Sequence, residues 1–375
     1  MLDSSRRNDT HRTGGAPCAD DASRAWRDRD ACETPELLVR FPSLARLGRV
    51  AFGAFPTPVE RVDLAGARGP LWVKRDDLNA RELSGAASVC AGGNKLRALE
   101  FLLAHVKPGD TVLAVGGDGS THVLATVVLA QRLGARTLAM RWPHEMNETA
   151  RLVESRADEM ADDVRRARGP LRAVLRGWLA SRRTHAASTT WWIPPGGASP
   201  LGMLGAVNAG LELTAQVARG ELPAPAHVVL PLGTGGTAGG LALGFAIAGL
   251  DTQVIGVRVV PRIMANGWRV RRLAHRCARL IERTTGSSLP RVARRSICVV
   301  HRFYGGAYGR PLGTAQEVRR EFERATGVLL DETYGAKAFA AAMQLAQTTD
   351  AATVYWLTFD ARCVSEQSVA PVPRP

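Results

Sequence analysis

The chain has 375 residues, 45% of them apolar, with 38 glycines and a formal net charge of +14. Such a length points to roughly two domains of about 100–200 residues each, and no uncharged apolar run reaches the ~18 residues that a membrane span needs. The positive charge is almost all arginine, and no basic run is interleaved with aromatic residues for stacking on bases, so nucleic acid is not expected as a partner.

Residues 1–35 are rich in Arg, Asp, Ser and Thr, without apolar periodicity and without the apolar core of a secretory signal; they are expected to be a disordered tail. The cysteines (Cys18, Cys32, Cys90, Cys277, Cys298, Cys363) form no CxxC pair, so no metal is expected and a reducing cytoplasm fits. Phe55-Pro56-Thr57-Pro58-Val59 reads as a rigid extended segment, and a short strand follows at 71–74. From Asn94, Leu96, Leu99, Leu102 and Leu103 recur at helical spacing and stop before Pro108-Gly109.

Residues 111–115 form a continuous apolar run of strand length that breaks at Gly116-Gly117. A helix over 121–133 and a strand over 137–141 complete the grammar of a right-handed parallel crossover. Residues 148–185 are arginine-rich and read as helical, with no clear strand. The alternation resumes with a strand at 191–193, a Pro/Gly turn at 194–200 and an apolar helix from Leu201. A strand at 227–230, a glycine loop at 233–240 leading into another helix, and a strand at 254–260 follow. Both halves are α/β, which places a ligand cleft at the carboxyl ends of the strands.

The chain contains four lysines, Lys74, Lys95, Lys107 and Lys337. Lys95 follows Gly92-Gly93-Asn94 and opens a helix, a poor place for a solvated cation. Only lysine among the cationic side chains loses its proton readily and forms a Schiff base with an aldehyde. The loop Gly233-Thr234-Gly235-Gly236-Thr237-Ala238-Gly239-Gly240 leaves a strand and opens a helix, so unpaired amides and two hydroxyls can converge on a phosphate. The same loop also fits a strand-to-helix turn that binds nothing, and its GxGxxG-like spacing is weak alone.

In this order, GGNK at 92–95, GGASPLG at 196–202, GTGGTAGG at 233–240 and LDETYGAKA at 330–338 resemble the 1-aminocyclopropane-1-carboxylate deaminase and D-cysteine desulfhydrase family. That family belongs to the tryptophan synthase β-like, fold type II pyridoxal phosphate enzymes, and the resemblance spans residues 55–359. It implies an α/β fold of two open twisted parallel-sheet domains with helices on both faces and a cofactor cleft between them. Residues 36–97 and 197–375 would form the large domain. Residues 98–196 would form the small one, with an Arg-rich helical insertion near 148–185.

The resemblance further implies that pyridoxal 5'-phosphate is carried as an imine on Lys95, whose freed amine then shuttles the Cα proton. Asn94 would lie beside the ring, Gly233, Thr234, Gly235, Gly236 and Thr237 around the phosphate, and Thr358 at the pyridine nitrogen. Ser120, Thr121 and His122 would hold the substrate carboxylate, with Ser120 near the reacting carbons and the phenols of Tyr308 and Tyr334 close by. The chain departs from the family pattern at four places. Gly119 replaces Gln and Thr121 replaces Asn in GGxQSNH; Gly335 stands where the deaminase has Glu and the desulfhydrase Thr; Leu357-Thr358-Phe359-Asp360 stands for HTGG, which puts Phe359 and Asp360 beside the expected cofactor plane.

The implied activity is a lyase or deaminase acting on a small amino acid, D-cysteine first, by α,β-elimination to ammonia and a 2-oxo acid. Cyclopropane-acid deamination and amino acid racemisation are the other outcomes of the same chemistry. A cofactor-binding or partner-binding relative without turnover is the reading from another class. Family members commonly self-associate, so a homo-oligomer is expected.

Overall fold

The computed structural model describes residues 34–182, 188–306, 310 and 312–365; the expected tail, save its last two residues, and Tyr308 lie outside the described residues. Ten strands are described: β1 (Val59–Val62), β2 (Leu71–Arg75), β3 (Thr111–Gly117), β4 (Arg136–Trp142), β5 (Asp163–Arg166), β6 (Thr190–Ile193), β7 (His227–Leu232), β8 (Gln253–Arg258), β9 (Ile297–Val300) and β10 (Thr353–Leu357). They form a six-stranded sheet in the order β1-β2-β10-β7-β8-β9 and a four-stranded sheet in the order β5-β4-β3-β6. Every pairing is parallel except β1 with β2.

Both sheets are covered on both faces, and the two-residue alternation of the strands shows it. Val112 and Ala114 join the cluster packed on helix Thr121–Arg132, whereas Leu113 and Val115 face Ala173 of helix Pro170–Ser181. In the larger sheet Val229, Ile255 and Tyr355 pack on Phe339 of helix Gly335–Thr348, while Val228, Val254 and Trp356 pack on Leu241 and Phe245 of helix Gly236–Ala248. A strand buried on both faces reads as a continuous apolar run, which is why β3, β7 and β8 were legible. The expected helix-only character of 148–185 is corrected. Strand β5 lies between helices Glu148–Met160 and Pro170–Ser181 and pairs with β4. Its four residues, Asp163-Val164-Arg165-Arg166, hold one apolar side chain at a sheet edge, too little for periodicity to register.

One buried polar knot anchors the helix that carries Lys95. Arg97 of helix Asn94–Leu102 bonds Asp76 at 2.7 Å and Glu212 at 2.8 Å, and Lys74 bonds Glu212 and the Thr57 carbonyl, each at 2.5 Å. Trp356 Nε1 donates to Asp76 at 2.8 Å, and all these side chains are buried. Burial alone would raise the Glu212 carboxyl, but Arg97 and Lys74 hold it at about 2. Removing one member strands the others, so Glu212→Ala is expected to cost about 3–5 kcal/mol in urea unfolding. A cost under about 1 kcal/mol would show that the knot does not hold this helix in place.

Candidate active site

The cleft is built from strand ends. Helix Asn94–Leu102 starts at Gly93, whose φ is +122°, and the chain there pairs with the segment leaving β10. The Asn94 N–H donates to the Thr358 carbonyl at 3.1 Å, Gly93 bridges Phe359, and Asn79 clasps Gly93 by donating to its carbonyl and accepting from its N–H. Lys95 and Thr358 are thereby fixed side by side. The loop after β7 opens helix Gly236–Ala248, and no side chain caps it, so its first amides stay available. Asn94 Nδ2 donates to Thr237 Oγ1 at 2.8 Å and ties this loop to the lysine helix.

A cavity of about 420 Å³ lies where these ends meet. Its walls include Lys95, Asn94, Ser120, Thr121, His122, Gly233, Thr234, Tyr334 and Thr358, so most of the residues singled out in the sequence converge on one space. Gly236 and Thr237 line a smaller recess that also touches Asn94 and Lys95, and Gly235 lines neither. Lys95 is half-buried, and its amine has no hydrogen bond to a described residue. Burial in the cleft lowers it to about 8. No other lysine can play the same part, since Lys74 is engaged in the buried knot, Lys107 is exposed, and Lys337 is not on the cavity wall.

His122 Nε2 lies 3.1 Å from the Pro194 carbonyl, and burial, with Lys95 nearby, drives the imidazole down to about 3. It is neutral at any working pH, so its side chain brings no positive charge to a carboxylate. Ser120 is the N-cap of helix Thr121–Arg132 yet makes no side-chain capping bond. Gly119 has φ +67°, and a Cβ there would sit 2.5 Å from the Ala150 carbonyl, so close packing of helix Glu148–Met160 accounts for the loss of a side chain at this position.

Phe359 lies on the cavity wall as expected, and the expectation for residue 360 needs correction. Phe359 touches the cavity but is 4% exposed and packs into the core around Leu96 and Leu99, and the Asp360 carboxylate turns to Arg362 at 2.6 Å and is not on the cavity wall. Trp142, His144, Val260, Met264 and Tyr304 also line the cavity and were not singled out in the sequence. Trp142 ends β4, while Val260 and Tyr304 lie just beyond β8 and β9, so the rule that ligands gather at the carboxyl ends of parallel strands was the signal available.

The family model for "Pyridoxal-phosphate dependent enzyme" matches residues 50–358. The chain belongs to the pyridoxal phosphate-dependent enzymes. It is 35% identical over 340 residues to nocardicin C-9' epimerase of Nocardia uniformis subsp. tsuyamanensis, covering 88% of this chain and 98% of that protein. It is 30% identical over 315 residues to D-cysteine desulfhydrase of Salmonella paratyphi C, covering 81% and 88%. A crystal structure of an ACC deaminase homologue superposes with a TM-score of 0.70 at 26% identity, covering 87% of this chain and 95% of that one. The resemblance read from the motifs and the fold class it implied are both borne out. No helix among the described residues is long and apolar enough to cross a membrane.

The residues present fit pyridoxal phosphate. An amine with no hydrogen-bond partner among the described residues shares the cavity with Gly233 and Thr234 and a smaller recess with the uncapped helix start at Gly236, and open space surrounds Gly233, where an added Cβ would meet nothing within 4 Å. A lysine depressed to about 8 sets a pH dependence. The unprotonated amine is the nucleophile, so uptake of pyridoxal phosphate by the apoprotein should quicken as pH rises and level off above about 8. Stopped-flow absorbance checks it, and a rate still climbing near the ordinary lysine value of about 10.4 contradicts the depressed pKa.

Proposed function

We propose that the protein is a lyase or deaminase that removes the Cα proton of a small amino acid, expels the β substituent and releases ammonia with a 2-oxo acid, D-cysteine being the leading substrate. The observation that carries the proposal is the Lys95 amine, lowered to about 8, without a hydrogen-bond partner among the described residues, in one cavity with the loop at Gly233 and Thr234. The bound cofactor supplies the electron sink for the Cα carbanion. Lys95 Nζ, held at about 8 by burial so that about a tenth of it is unprotonated at pH 7, takes the proton and can return it. The amides opening helix Gly236–Ala248, with Thr234 and Thr237, hold the phosphate, and Thr358 meets the pyridine nitrogen. The turn Ser120-Thr121-His122 offers helix-start amides to the substrate carboxylate, and Tyr334 faces the substrate from the opposite element.

A second reading, epimerisation at Cα, is favoured by the 35% identity to a protein named as an epimerase over 98% of its length. It keeps every role above and omits only the expulsion step. Sulfide from D-cysteine supports the first reading, and Cα exchange with solvent deuterium without elimination supports the second. Neither product nor exchange across a panel of amino acids would end both.

The division into a domain of 98–196 and a domain of 36–97 with 197–375 is part of the proposal, as is a cytoplasmic setting. So is self-association, supported by Leu171, Leu175, Trp178 and Leu179, which are exposed at helical spacing on one helix. Light scattering of the purified protein checks it, and a monomer at every concentration contradicts it.

A further inference from the structure

Lys337 has no part in the roles assigned above, yet it is 0% exposed, in the first turn of helix Gly335–Thr348 and off the cavity wall. Its Nζ donates to the Tyr304 carbonyl at 3.1 Å. The charge that acts on it is that of Asp331, itself buried, whose carboxylate accepts the N–H of Tyr334 at 2.7 Å and that of Gly335 at 2.9 Å. Tyr304 and Tyr334 both line the cavity, and they come from separate elements. The Tyr304 ring is also covered by the Arg258 guanidinium, 3.9 Å from its centroid, and Arg258 in turn bonds His301 at 2.9 Å. The bond from Lys337 to Tyr304 therefore ties the helix that Tyr334 caps to the Tyr304 segment.

The arrangement is expensive as mere packing. Burial lowers the Lys337 ammonium to about 8 against the attraction of Asp331, so the charged form is disfavoured in this place. A methionine of similar volume would remove this disfavoured buried charge but leave the Tyr304 carbonyl without its donor. We infer that Lys337 is a positioning residue, which sets the placement of Tyr334 against the substrate by tying the start of helix Gly335–Thr348, which Tyr334 caps, to the Tyr304 wall. The inference rests on the role proposed for Tyr334.

The test uses cofactor-loaded protein with 3-fluorotyrosine placed at position 334, in the wild-type background and with Lys337→Met. The ¹⁹F line is expected to move or split in the variant, whose melting temperature falls by a few degrees at most. For whichever amino acid reaction the protein supports, Lys337→Met should lower kcat/KM by roughly tenfold, and by less than about threefold when Tyr334→Phe is already present, since coupled residues are non-additive. An unchanged ¹⁹F line, or the same fall in both backgrounds, would overturn the inference. If Lys337→Met does not fold, Lys337→Gln, which keeps an N–H for the Tyr304 carbonyl but no charge for Asp331, is read in the same way. The label needs no turnover. A protein inert towards every amino acid but with a Lys337-dependent line would sink the lyase reading and leave this one, and turnover with an unchanged line would do the reverse.

Discussion

Lys95→Ala is expected to abolish turnover, by about 10³-fold or more, and to remove the visible absorbance of the lysine-bound cofactor while leaving the fold intact. The lysine does two jobs that alanine cannot: it holds the aldehyde covalently, and its amine moves the Cα proton, a contribution of about 10²–10⁴-fold for a positioned base. The fold should survive, because the Lys95 amine bonds no described residue and its ammonium is disfavoured where it sits. Lys95→Arg should fail as completely, since a guanidinium stays protonated at any working pH. Absorbance of the purified variants together with a deuterium-exchange assay checks both. A Lys95→Ala protein with the wild-type band would remove this residue from the account.

Gly93→Ala is the second large effect, and it acts through backbone alone. Gly93 sits at φ +122°, and a Cβ built on it falls 2.2 Å from the Thr358 carbonyl oxygen, a contact no rotamer change can relieve because the Cβ is fixed by its own backbone and its partner is backbone. The strand end carrying Thr358 and the helix start carrying Lys95 must then separate. Strain of about 1–3 kcal/mol weakens cofactor affinity roughly tenfold to a hundredfold. Gly313→Ala is the control, having nothing within 4 Å of its added Cβ and no positive φ. Equal cofactor affinity in the two variants, measured by equilibrium dialysis, would show that the Gly93 junction does not set the site.

The parts of the fold that could be read from sequence are those whose signal is local. Residues 111–115 and 227–230 are buried on both faces and so read as unbroken apolar runs, and Leu96, Leu99, Leu102 and Leu103 declare a helix by spacing. Strand β5 gave no such signal, being short, polar and at an edge. At the site, Lys95 stood out because arginine holds nearly every other cationic position, and the glycine loop stood out because close backbone approach needs it. The walls built by Trp142, Val260 and Tyr304 were hidden, since what brings them together is the order of strands in two sheets and not any motif. The turn of Asp360 towards Arg362 was equally out of reach, because the partner lies two residues on in a segment with no periodicity. Sequence placed a charge beside the cofactor, and only packing could show that it faces elsewhere.

With four lysines in the chain, reductive trapping tests the central claim most directly. Protein loaded with pyridoxal phosphate, reduced with borohydride, digested and mapped by mass spectrometry should carry the cofactor on the peptide containing Lys95 and on no other. Cofactor found on Lys74, Lys107 or Lys337, or on none of the four, would contradict the account.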